Sequence, residues 1–165
     1  MALLHSQAWK LNSARKSECV TAAMMKRLRT YGSPESVEPG GHLFHQGERL
    51  VDFFVVEQGE LELYERKGRA SNHVESTLAK LHFTGELDLL NDRPSLLNCR
   101  AVRSSRVLRI SRESVRTLMR TELDIAELIL TEWILRRARL VNHRQGASSL
   151  SVIAMRLRPC VSSGF

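Results

Sequence analysis

The run Gly85-Glu86-Leu87-Asp88-Leu89-Leu90-Asn91-Asp92-Arg93-Pro94-Ser95-Leu96-Leu97-Asn98 concentrates the residue types of an anion cradle. A glycine leads into one short helical turn, and the N–H groups that open such a turn have no partner within it, so they can face an anion. Glu86 sits beside them, placed to accept hydrogen bonds from a sugar hydroxyl, with the N–H of Leu87 as a second donor to the anion. Asn91-Asp92 and Pro94 mark a turn, after which Ser95, Leu96 and Leu97 start an apolar stretch of strand type. Arg93 is a cation on the intervening loop, and Trp133, far along the chain, offers an aromatic platform for a base.

Other chemistry is harder to assemble. His42 and His45 flank a strand, but three residues apart on a strand they face opposite sides, and no spaced carboxylate follows to complete a metal site of the cupin type. Cys19, Cys99 and Cys160 are odd in number, far apart and in no metal-ligand spacing, which reads as reduced structural thiols. No Ser/His/Asp or Cys/His arrangement stands out, so neither a metal, a catalytic residue nor an enzymatic activity is expected.

The elements that must position the cradle follow from turn signals and periodicity. Residues 1–30 read as helical and polar, with Tyr31-Gly32-Ser33-Pro34 ending the segment. From Val37 to Ile110, short runs alternate with turns at Pro39-Gly40-Gly41, Gly47-Glu48 and Gln58-Gly59, a spacing of about eight to twelve residues that argues for a β-sandwich or barrel. Asp52–Glu57 is continuously apolar at its centre and reads as buried on both faces, whereas Glu60–Glu65 alternates like a strand with one wet face. Lys67–Glu75 reads as a polar hairpin tip. Ser111 is an N-cap for a helix with Val115, Leu118 and Met119 on one face. Glu122 opens a longer helix, acidic at its start and basic from Arg136 to Arg144, as the helix dipole favours. On that helix Leu123, Ala126, Leu130, Trp133, Ile134 and Leu140 are apolar, and Ile125, Ile129, Trp133 and Leu140 offer a dimer seam within residues 122–142. Residues 146–149 read as a linker, and Leu150–Met155 as a strand with nothing after it to pair with.

The cassette resembles the phosphate-binding cassette of cyclic-nucleotide-binding domains, whose pattern is roughly Gly-Glu-Leu-Ala-Leu, a short loop, then Pro-Arg-Ala-Ala-Thr. Pro39–Glu48, Asp52–Leu61 and Val107–Glu113 resemble three further motifs of that family, so the resemblance spans about residues 35–142. It implies a mainly β fold with flanking α: a double-stranded β-helix, jelly-roll-like, of the catabolite-activator type. An N-terminal helix precedes eight short strands, the cassette falls between strands six and seven, and two C-terminal helices follow. Three parts are expected, an N-terminal helical segment at 1–34, the binding domain at 35–145, and a linker with a truncated strand and tail at 146–165. The resemblance assigns Glu86 to the ribose 2′-hydroxyl. It places the family's phosphate arginine on Ser95, a loss of roughly 1.5–3 kcal/mol of charge-assisted binding, or about ten- to a few hundred-fold in affinity. Leu96 and Leu97 replace the small residues that admit the phosphate. Arg93, on the loop, is the nearest substitute cation; Arg100, at opposite strand parity, points away.

The resemblance implies a regulatory module for cyclic AMP or cyclic GMP with a degenerate site, with no other cofactor, acting through its last helix on an attached or partner effector. Gly85–Leu90 together with Arg136–Leu140 is similar to the regulatory domain of thioredoxin-reductase-like flavoproteins in bacteria, which implies an oxidoreductase effector. A non-binding scaffold or dimerisation domain is the alternative. A net charge of +7, from 25 Lys and Arg against 18 Asp and Glu, also suits DNA. The residues after Gly146 do not supply a helix-turn-helix, so DNA binding is not expected. No apolar run approaches the length of a membrane span, and the chain reads as cytoplasmic.

Overall fold

The fold is organised around β3 (Phe53–Gln58), whose two faces are both buried. Phe53 and Val55 enter one apolar cluster, Phe54 and Val56 the other. A strand with no wet face must be covered by a layer on each side, which is why its sequence is an unbroken apolar run. The structure is a computed structural model that describes residues 19–67, 71–89 and 93–145.

Eight strands form two antiparallel sheets. β1 (Ser33–Val37), β8 (Ser105–Ile110), β3 and β6 (Phe83–Thr84) make the first, in that order; β2 (His42–Phe44), β7 (Asn98–Ala101), β4 (Leu61–Lys67) and β5 (Ser71–Leu78) make the second. Pro34 lies in β1, an edge strand, where its missing N–H interrupts no ladder. Between the sheets Phe44, Phe54, Val56, Leu61, Leu63, Leu97, Cys99 and Val107 fill the interior of the roll. The polar hairpin tip read at Lys67–Glu75 is shorter than expected, because β5 begins at Ser71 and pairs with β4 from Lys67↔Ser71 onward. A bulge between Leu63 and Tyr64 interrupts the simple alternation of β4, so Tyr64 is buried as well.

Helices cover the outer face of the first sheet. α1 (Ala22–Leu28) is capped by the Thr21 side chain and buries Met25 and Leu28. α3 (Arg112–Thr121) starts at the Ser111 cap and buries Val115 and Leu118, as its periodicity predicts. α4 (Leu123–Gln145) places Ile125, Leu128 and Ile129 in the same cluster. Arg27 of α1 pairs with Glu122 and Asp124, tying the N-terminal helix to the start of α4. The first eighteen residues of the helical segment, the linker at 146–149 and the strand at Leu150–Met155 lie outside the described residues.

The β3–β4 hairpin turns at Gly59, with φ +93°. A Cβ there would lie 2.3 Å from Ser105 Oγ and 2.6 Å from Ser105 Cα. That hydroxyl is itself fixed, accepting from Glu60 N–H at 3.0 Å and donating to the Arg103 carbonyl at 2.7 Å. Gly59→Ala is therefore expected to destabilise by about 2 kcal/mol or more, read by denaturant unfolding; a change within 0.5 kcal/mol of zero, roughly that of an ordinary surface substitution, would contradict this.

Candidate ligand-binding site

The cassette lies between β6 and β7. Gly85 follows β6 with φ +94°, and a Cβ there would come 2.2 Å from the Asp52 carbonyl oxygen. A glycine is thus demanded here by the backbone at the start of the chain's own β3. α2 (Glu86–Leu89) follows as a single turn. Its first residue, Glu86, is 1% exposed. One carboxylate oxygen of Glu86 accepts from Arg136 Nη1 at 2.7 Å, and the other is buried with no hydrogen-bond partner among the described residues.

Arg136 comes from α4, fifty residues away in sequence, and is 8% exposed. Its Nη1 also donates to the Phe83 carbonyl at 2.7 Å, its Nε donates to Glu132 at 3.1 Å, and its guanidinium carbon lies 5.0 Å from the Phe83 ring centroid. Glu132 is 1% exposed. Two buried carboxylates therefore share one guanidinium. Burial raises the Glu86 pKa; Arg136 opposes that rise and the charge of Glu132 adds to it.

The other predicted residues fall into place unevenly. Leu87 lies in α2, with its side chain outside the described residues. Arg93 is exposed on the loop. Ser95 is buried, but its backbone is pinned to Gly47 and Glu48 (2.8 Å each) and its hydroxyl donates to the Leu97 carbonyl at 2.9 Å, so it serves the loop. Leu97 is in the roll interior, and Leu96 packs against it. Arg100 points away as expected, pairing with Glu62 over the Tyr64 ring. Trp133 is half-buried, with Arg137 over its ring and its indole N–H buried with no hydrogen-bond partner among the described residues.

Sequence reasoning did not place Arg136 beside Glu86, having grouped it with the basic end of the helix. The available signal was its spacing. Residues 125, 129, 132, 136 and 140 form one helical stripe, and that stripe is the buried one. The same fact corrects the dimer seam: Ile125 and Ile129 are 0% exposed in the domain's own core, and Leu140 is in the roll interior. The apolar residues left outward are Leu123, Leu130, Ile134 and Val141.

One more expectation is overturned. His42 and His45 do not face opposite sides: a register shift between His42 and Phe44 turns their rings into a stack 4.5 Å apart, with His42 bonded to the Tyr64 hydroxyl at 2.8 Å. A Cys/His contact also exists, Cys19 Sγ to His82 Nε2 at 3.4 Å. Among the described residues no group of three or more His, Cys, Asp or Glu is arranged to hold a metal ion. Cys99 is fully buried, which pushes its thiol pKa up.

Residues 34–122 match the family model described as the cyclic nucleotide-binding domain. The chain belongs to that family. A potassium channel of Oryza sativa subsp. japonica, AKT2, is 24% identical over 115 residues, which are 70% of this chain and 14% of the channel. Among solved structures, the catabolite activator protein of Thermus thermophilus superposes with TM-score 0.59 at 19% identity, covering 76% of this chain and 57% of that one. A transcriptional regulator from Thermotoga maritima superposes with TM-score 0.63 at 16% identity, covering 73% and 93%. These likenesses bear on the fold, a β-roll of the catabolite-activator type. The chain thus spans a small part of the curated relative and little more than half of the activator. Among the described residues no helix is long and apolar enough to cross a membrane.

The Glu86–Arg136–Glu132 cluster yields two expectations. Arg136→Met removes the guanidinium that two buried carboxylates share and should cost about 3–5 kcal/mol in denaturant unfolding; a near-neutral result would mean that the pairing contributes little. Because the Glu86 pKa is raised on folding, the folded state holds that proton more tightly than the unfolded chain. Its contribution is full below the unfolded carboxylate pKa and is lost as pH rises through the folded value. The Tm of the parent protein should therefore fall relative to Glu86→Gln as pH rises above the ordinary carboxylate range, whereas a difference that stays constant with pH would exclude the effect.

Proposed function

We propose that this domain is a regulatory sensor of a cyclic nucleotide, cyclic AMP or cyclic GMP, held chiefly through Glu86 and reported through α4. One observation carries the reading: the Glu86 carboxylate offers one buried oxygen with no hydrogen-bond partner among the described residues, while Arg136 of α4 holds the other. An orphaned buried acceptor fits a hydroxyl donor such as a ribose 2′-hydroxyl, whose bond would relieve the cost of leaving it unsatisfied. A ligand on Glu86 shares that carboxylate with α4, so occupancy must bias the Arg136 contact and, through it, the helix. Leu140, one turn further on, packs in the roll interior with Leu97, so α4 also closes over the cassette end of the roll.

The site is degenerate on the phosphate side. Ser95 has replaced the family's arginine and bonds to its own loop, which leaves exposed Arg93 as the cassette's cation and Trp133 as the aromatic residue for the base. Binding is therefore weak by family standards. Isothermal titration of the full chain with each nucleotide is expected to give saturable binding, abolished in Glu86→Ala and weakened about ten-fold in Arg93→Gln. No heat at millimolar ligand would overturn the sensor reading and leave a scaffold.

The exposed stripe of Leu123, Leu130, Ile134 and Val141 favours the second reading, a dimerisation domain, whether or not a ligand binds. The spacing of seven, four and seven residues suits packing against a second copy of α4. Ile134→Glu should convert a dimer to a monomer in sedimentation velocity while leaving Tm at low concentration nearly unchanged; a monomeric parent protein would remove this reading. The effector moved by α4 would be an attached or partner protein, with a flavin-dependent thioredoxin-reductase-like enzyme the one its resemblance points to.

A further inference from the structure

We propose that the cleft at the opposite end of β3 from the cassette is a second anion site, suited to a small phosphate or pyrophosphate ester. Gly85 abuts the start of β3 at Asp52 and Phe53, whereas this cleft opens at Glu57 and Gln58, about 17 Å along the strand. Its volume is about 380 Å³, within the range of small-molecule sites. α1, the end of β3, the β5–β6 turn and β8 each contribute to its lining.

The charges are arranged around one carboxylate. The Glu57 side chain is 6% exposed; one oxygen accepts from Arg29 Nε at 2.8 Å and the other from Arg106 Nε at 3.1 Å. Both guanidinium groups are thereby oriented by their Nε edge, so their terminal N–H forks remain for another acceptor. Lys80 lines the same cleft and has no ion-pair partner among the described residues. Three cations thus face one buried carboxylate, an excess of two positive charges in a concave site, where a multivalent oxyanion is attracted most strongly. The floor includes Leu81, a non-glycine residue at φ +71°. That conformation is held by its own N–H on the Val56 carbonyl at 2.8 Å and by Val20 N–H on its carbonyl at 3.0 Å. Strain maintained in this way is characteristic of ligand clamps.

The test is a titration of the full chain with inorganic pyrophosphate at low salt, followed by calorimetry. Saturable binding is expected, weakened about ten-fold or more in the double variant R29Q/R106Q and unchanged within about two-fold in the charge-matched R116Q/R120Q on exposed α3 positions. Removing both arginines strands the buried Glu57, so K80Q, which breaks no contact, serves as the second variant: it should weaken binding several-fold with Tm unchanged. No saturation, equal losses in the two double variants, or full affinity in K80Q would overturn the site. Citrate binding as tightly as pyrophosphate would overturn the phosphate assignment.

Discussion

One guanidinium, that of Arg136, stands between two carboxylates that are each 1% exposed, and the connection between cassette and helix depends on it. Moving a charge out of water costs several kcal/mol, so a guanidinium shared by two buried carboxylates stands only where its hydrogen bonds hold it in place. Burial and Glu132 drive Glu86 toward its protonated form while Arg136 resists. An acceptor left unsatisfied in that environment is a standing cost that packing alone does not explain.

The rest of the domain makes this cluster possible. β3 is sandwiched between two apolar clusters, and Gly85 leaves β6 in contact with the first residues of β3. Glu86 is consequently fixed in depth and direction before any ligand arrives. α4 reaches it because the helix spends its first half on the outer cluster through Ile125 and Ile129 and ends in the roll interior at Leu140. Arg136 lies between those two anchorages. The helix thereby contributes side chains to both apolar clusters.

Much of this was legible in the chain. The turn glycines and the two-sided apolar run of β3 pointed to a β-sandwich or barrel, since each encodes a local backbone requirement or a burial pattern, and the resemblance of the cassette narrowed this to the β-roll. The cap at Ser111 and the face of Val115 and Leu118 were equally plain. What misled was parity and azimuth. A bulge beside His42 brought the two histidines together, and α4, apolar on more than one side, did not declare which stripe was inward. A charged residue on a buried stripe reads as surface when the helix is taken in isolation.

The sequence by itself determined the order of strands and helices, because turn chemistry and hydrophobic period are local properties, and its motifs carried the resemblance that pointed to the family. Tertiary structure alone decided what those residues touch. It turned Ser95 onto its own loop, spent Gly85 on β3, and brought Arg136 across fifty residues to Glu86. Likewise it gathered Arg29, Lys80 and Arg106 from three separate elements around Glu57. The physical reason is that charge pairing and desolvation depend on distances in space, which no local pattern records.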